Sequence, residues 1–320
     1  MRRFRVLSGL LATFAVAACP LAFAQVYPDR PITLVVPFTA AGGTDLTARL
    51  YARALEKHAG QPVTVLNKPG AGGEIGMSYV ARAEPDGYTL GIINTPNVLT
   101  IPIERQAQFG LDSFDLLANL VDDPATLSVH AGRDIRSIAD LVEAARRDPD
   151  GLTYGTAGIG SAGHIAVLMF EKAAGIKLRH IPFKGTADVR TALIGGQIDV
   201  AAANLSEALA FAQGSPWRTL GVMKATRSAT AAALPTFAEA GYALQGGSLR
   251  GVGAPAAMAA QRRQQVAALI TKAASDPQFL EDARKAEQDV RVISGDEYGR
   301  ALREQRTQFE ALWKASPWNR

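Results

Sequence analysis

Apolar runs and helical stretches alternate along almost the whole chain, and nothing else restricts its fold so much. Ile32 to Val36 is a largely β-branched run ending at Pro37. A glycine-rich turn then leads into a helix from Asp45 to His58. Leu46, Leu50 and Ala54 share one face of it, Thr44 or Asp45 can cap its start, and Gly60 ends it. Val63 to Leu66 and Tyr88 to Asn94 predict two further strands, separated by a helix that ends near Pro85-Asp86-Gly87. Ser137-x-x-Asp140 is a capping box that opens a helix through Arg147. Strands at Leu152–Thr156, Lys177–Phe183 and Ile198–Ala203 then alternate with helices at His164–Ala174 and Ala187–Ile194, and two long helices, about Ala259–Ala274 and Asp296–Lys314, close the chain. This order predicts an α/β protein with mainly parallel sheets flanked by helices.

Ligands of such sheets bind beyond the carboxyl ends of the strands. The segments to read are therefore Pro37–Asp45, Asn94–Asn97, Gly155–Gly163, Lys184–Thr186 and Asn204–Ser206. Two are dense in small residues and lead into helices: Pro37-Phe38-Thr39-Ala40-Ala41-Gly42-Gly43-Thr44-Asp45 and Tyr154-Gly155-Thr156-Ala157-Gly158-Ile159-Gly160-Ser161-Ala162-Gly163-His164. Small residues let the backbone approach a ligand, and a helix start presents unpaired N–H groups with partial positive charge, which suits an anion. Tight turns and close helix–sheet packing account for some of the same glycines. Gly158-x-Gly160-x-x-Gly163 fits the dinucleotide fingerprint formally. The carboxylate expected about 20 residues on is replaced by Arg179 and His180, which weighs against that ligand.

The N-terminus sets the compartment. Met1-Arg2-Arg3-Phe4-Arg5 is basic, Val6 to Ala18 is apolar, and Ala22-Phe23-Ala24 supplies small residues before Gln25, the order of a cleavable export signal covering residues 1–24. Val16-Ala17-Ala18-Cys19 also fits a lipoprotein box, in which Cys19 would be acylated; cleavage after Ala24 is the favoured expectation. Cys19 is the single cysteine, so no disulfide framework and no cysteine metal site can form in the mature chain. The formal net charge is +4, and removal of Arg2, Arg3 and Arg5 with the signal leaves +1. With no basic stripe, that balance gives no case for nucleic acid.

Catalytic patterns are sparse. No His-x-x-x-His pair and no Gly-x-Ser-x-Gly elbow occurs. No catalytic residue, metal site or cofactor is expected. Asp45 reads better as a helix cap or a partner for a ligand amine than as a catalytic acid. Lys184, in Pro182-Phe183-Lys184-Gly185, either meets a substrate carboxylate or is a solvated turn lysine.

Several segments in fixed order carry a resemblance. They are Tyr27-Pro28-Asp29-Arg30-Pro31-Ile32, Asn67-Lys68-Pro69-Gly70-Ala71-Gly72-Gly73 and Ala83-Glu84-Pro85-Asp86-Gly87-Tyr88-Thr89-Leu90. Pro182-Phe183-Lys184-Gly185, Gly195-Gly196-Gln197-Ile198-Asp199 and Leu234-Pro235-Thr236-Phe237-Ala238-Glu239-Ala240-Gly241 follow, and with the Pro37–Asp45 loop they span the mature chain. Together they resemble the substrate-binding proteins of tripartite tricarboxylate transporters, the Bug family of periplasmic receptors. The resemblance implies a two-lobed periplasmic binding protein of the Venus-flytrap kind, with residues 25–127 plus 246–320 as one lobe and 128–245 as the other. It implies a monomer that captures a small carboxylate and passes it to the membrane permease subunits of the transporter. A receptor feeding a two-component sensor kinase, or an exported enzyme on this fold, are the alternatives. Carried onto this chain, ligand contacts fall on Phe38, Ala40, Gly43, Thr44 and Asp45 from one lobe, and on Thr156, Ala157, Gly158, Ser161 and His164 from the other, with Lys184 and Asn204 as further candidates. Leu249 stands where an aromatic is usual, Ala203 where an Asp is, Phe183 where a Tyr is, and Arg250 adds a cation near the hinge.

Overall fold

The computed structural model describes residues 27–315 and 317–319; the expected export signal and the Cys19 box lie outside the described residues. The first elements are β1 (Ile32–Val36), α1 (Gly43–Ala59), β2 (Val63–Asn67), α2 (Glu74–Ala81), β3 (Thr89–Asn94), α3 (Asn97–Glu104) and the long β4 (Phe114–His130). There follow α4 (Ile138–Arg147), β5 (Thr153–Thr156), α5 (Ala162–Ala174), β6 (Arg179–Pro182), α6 (Thr186–Ile194), β7 (Val200–Asn204), α7 (Leu205–Ala212) and β8 (Trp217–Val222). The chain closes with β9 (Gly247–Pro255), α8 (Ala260–Ala274), α9 (Pro277–Lys285), β10 (Val290–Ser294) and α10 (Gly295–Ala315).

Local chemistry sets several of these boundaries. Ser137 Oγ accepts the Asp140 N–H while Asp140 accepts the Ser137 N–H, so the capping box that starts α4 forms as expected. Gly60, at φ 64°, ends α1 in the left-handed region, where its N–H bonds the Glu56 carbonyl.

The strand order is β2-β1-β3-β9-β4-β7-β5-β6, with β8 and β10 also pairing with β4. Within the strand–helix runs the pairs are parallel, β2-β1-β3 on one side and β6-β5-β7 on the other. The sheet as a whole is mixed, which refines the expectation of mainly parallel strands. β9 runs antiparallel between β3 and β4, and β4 is antiparallel to β7, β8, β9 and β10. The returning β9 crosses from one strand–helix run to the other beside β4, and a strand that returns this way pairs antiparallel.

β4 ties the two runs together: residues from Phe114 to Pro124 face β9, and those from Ala125 onward face β7 and β8. Four apolar clusters cover the faces. Alternate residues of β1 point to opposite sides: Leu34 and Val36 pack with Tyr51, Leu55, Ile270 and Phe279, whereas Val35 packs with Met77, Leu99, Tyr298 and Leu302. β7 repeats the device, with Val200 and Ala202 against Leu141 and Phe170, and Ala201 against Val189, Leu193 and Trp217. Each fully buried Leu, Val or Phe contributes about 1.5–3 kcal/mol over an exposed one. Two well-filled halves thus meet along β4 and β9 and at the loops facing each other between them, and the ion pair of Lys224 with Asp289 also joins them.

Candidate functional site

Those facing loops enclose a cavity of about 60 Å³, which holds about five water-sized groups. Five helices begin at its wall: Gly43 and Thr44 open α1, Asn97 opens α3, Ala162 and Gly163 open α5, Thr186 and Ala187 open α6, and Asn204 caps α7. First-turn N–H groups have no partner within their own helix and carry the positive end of its dipole. A cavity walled by five such ends is strongly disposed towards negative charge.

Two glycines make room at the cavity wall. A Cβ on Gly43 would lie 2.6 Å from Arg250 Nη2, and one on Gly163 would lie 2.6 Å from the Ala202 carbonyl oxygen. The first glycine makes room for a guanidinium at the cavity wall, and the second lets α5 press onto β7.

The halves are closed on each other. The Gly43 N–H donates to Glu207 Oε1 at 3.0 Å, Thr100 Oγ1 donates to the Gly160 carbonyl at 2.8 Å, and Asn204 Nδ2 donates to Ser248 Oγ at 2.9 Å. Behind the wall, Arg250 Nη1 lies 2.7 Å from Asp123 Oδ2, and both side chains are only 2% exposed. The Ser206 N–H and hydroxyl also donate to Asp123. Burial pushes the Asp123 carboxyl up, and the nearby Glu207 adds to this, while Arg250 and the Ser206 hydrogen bonds oppose it.

Of the residues picked from sequence, Phe38, Gly43, Thr44, Ala157, Ser161 and Asn204 line this cavity. Gly158 and Lys184 line a neighbouring cavity of about 570 Å³ that shares Phe38, Thr39 and Ala157 with the first. The others support the loops from behind or stand outside. Ala40 is exposed. Asp45, 2% exposed, accepts from Ala41 N–H, Arg49 Nε and Asn67 Nδ2 at 2.8–2.9 Å. Burial alone would raise its carboxyl, but those hydrogen bonds and the Arg49 charge prevail and hold it below the usual range. Thr156 Oγ1 contacts the Gly158 N–H and carbonyl and His180 Nε2.

His164 Nδ1 accepts the Gly160 N–H at 3.0 Å, and its ring stacks on His180 with centroids 4.0 Å apart. Burial, and then His180, push His164 down to about 3, and burial pushes His180 down to about 4. Both rings are therefore neutral at pH 7, and they prop the loop from behind.

Glu207 and Thr186 were not among the picked residues. Asn204-x-x-Glu207 is legible as a capping box, and Glu207 does accept the Asn204 N–H. Its reach across to Gly43, 164 positions away, has no local signal.

Two α/β halves joined by crossing strands, with helix N-termini converging on a cavity between them, define the class of periplasmic binding proteins. Residues 47–316 match the family described as the tripartite tricarboxylate transporter family receptor. The Bordetella pertussis protein BugT is 31% identical over 248 residues, 76% of this chain and 75% of the relative. A Cupriavidus necator protein is 30% identical over 302 residues, 93% and 92% of the two chains. Among solved structures, the periplasmic binding protein BugD has a TM-score of 0.84 at 30% identity, covering 91% of this chain and 99% of its own. An R. palustris protein solved with adipate has a TM-score of 0.85 at 29% identity, covering 90% and 98%. The chain belongs to the tripartite tricarboxylate transporter receptor family and is a solute-binding protein of that family.

Proposed function

We propose that this receptor captures a small organic carboxylate in the periplasm and delivers it to the membrane subunits of a tripartite transporter. The observation that carries this reading is the convergence of five helix N-termini on one cavity. N–H groups at helix starts hold a carboxylate with little need for a surface cation. The adipate bound to the R. palustris relative supports the same ligand class. The chain does no chemistry on its ligand and releases it unaltered. The halves act as lobes, residues 25–127 plus 246–320 and residues 128–245, which hinge apart on β4 and β9 to admit the ligand and close over it. Export is by cleavage after Ala24. No helix among the described residues is long and apolar enough to cross a membrane.

The test is a thermal-shift screen of small carboxylates. A ligand at about 100 times its Kd adds about 2.7 kcal/mol to native stability. At about 2–4 °C per kcal/mol, that moves Tm by several degrees. Carboxylates should raise Tm, whereas nucleotides and neutral sugars should not. A screen in which only nucleotides or sugars shift Tm overturns the reading. Intact mass of the periplasmic protein should give a chain starting at Gln25; a lipidated Cys19 terminus would contradict the cleavage.

A further inference from the structure

The donors that wall the cavity are already partly engaged, and the group engaging them is a side chain of the protein. Glu207 Oε1 accepts the Gly43 N–H at 3.0 Å and the Thr186 hydroxyl at 2.6 Å, while Oε2 accepts the Asn204 N–H at 3.2 Å. One built-in carboxylate thus draws on the starts of α1, α6 and α7. Among the described residues it forms no ion pair and relies on these donors alone.

Glu207 and Arg250 are the charged side chains that line the cavity. Arg250 is 1% exposed, and its charge is matched by Asp123 behind it. Its Nε has no hydrogen-bond partner among the described residues, and Nη1, although close to Asp123, lies off hydrogen-bonding geometry. Buried guanidinium N–H groups are seldom left this way. Arg250 sits on β9 directly opposite Asn94, whose Oδ1 is likewise buried and unpartnered. Arg250 and the start of α5 line the cavity as its donors for one carboxylate, and Glu207 lines it as a charged acceptor.

We infer that the ligand is a small amino acid-like zwitterion, whose single carboxylate meets Arg250 and the α5 N-terminus and whose ammonium group meets Glu207. This rests on the reading of the chain as a carboxylate receptor and narrows it. A dicarboxylate would bring its second negative charge against Glu207 in a buried cavity, where like charges repel more strongly than in bulk water. A plain monocarboxylate would leave Glu207 without a counter-charge.

The experiment is calorimetry on the mature protein with three series of matched length. These are glycine, β-alanine and 4-aminobutanoate; acetate, propanoate and butanoate; and malonate, succinate and glutarate. The best amino compound should bind at least tenfold more tightly than the best member of either other series. Glu207→Gln keeps the shape and removes the charge. It should weaken the amino compounds at least tenfold and narrow or reverse their lead over the dicarboxylates. If the dicarboxylates or plain acids bind tightest to the natural chain, the inference fails, Glu207 gives way to the ligand, and the carboxylate-receptor reading stands. If no compound of any series binds, both fail. Should Glu207→Gln not fold, the ranking on the natural chain decides alone.

Discussion

Acid should loosen this receptor through the His164–His180 stack, and the size of the effect can be worked out. Both rings have folded-state pKa values pushed down by burial, to about 3 and about 4, whereas an unfolded histidine titrates at about 6.5. Between these limits the unfolded chain binds more protons than the native one. The stability from holding the rings neutral is therefore fully present above pH 6.5 and is lost as pH falls towards the folded values. From pH 7.5 to pH 5, each fully buried ring forfeits about 2 kcal/mol. With His180 discounted for its partial exposure, the pair forfeits about 3 kcal/mol, a large share of the roughly 5–15 kcal/mol of a typical domain. The loss has a structural address, because a protonated His164 Nδ1 cannot accept the Gly160 N–H, and the loop at the start of α5 loses its prop. Asp123 and Glu171, whose carboxyls burial raises, act in the opposite sense, so the comparison must be with a variant. Urea denaturation at pH 7.5 and pH 5 should show the natural chain losing about 3 kcal/mol more than His164→Asn/His180→Gln. Equal losses in the two proteins would refute the argument.

Other perturbations separate packing from recognition. Asp123→Ala strands the Arg250 charge in a site 2% exposed, and should cost about 3–5 kcal/mol by denaturant melting. Asp123→Ala/Arg250→Met should recover most of that, since no lone charge remains buried. Ser161→Ala should cost ligand affinity only about the 0.5–1.5 kcal/mol of one hydrogen bond. Gly158→Val should cost more, because Gly158 sits at φ 111°, which a β-branched residue resists; calorimetry giving the reverse order would undo the backbone-donor account.

The parts legible in sequence were those whose determinants are local. The Ser137–Asp140 box announces α4 within four residues, whereas α1 begins at Gly43 with Gly42 as its cap, so the expected caps Thr44 and Asp45 fall inside its first turn. β4 does not announce itself, because Asp122-Asp123-Pro124 in its middle reads as a turn. What makes Asp123 tolerable in a buried strand is Arg250, supplied by β9 from the far end of the chain. For the same reason half of the picked site residues line the cavity and the rest do not. The loops were identified from small residues and strand ends. Which side chain of each loop faces the cavity depends on partners such as His180 behind Thr156 and Arg49 beside Asp45. Gly163 shows how one residue can serve both readings: it faces the cavity, and it is also the point at which α5 touches β7.

The central claim is that a carboxylate is held by helix N-termini between the two halves, and a crystal structure of the protein isolated from the periplasm with its ligand tests it most directly. The account predicts a carboxylate within about 2.7–3.2 Å of the Ala162 or Gly163 N–H, in the cavity lined by Gly43, Asn97, Thr186 and Asn204. A ligand seated instead in the cavity beside Leu168, Lys172 and Leu312, with no anion at the start of α5, would contradict it.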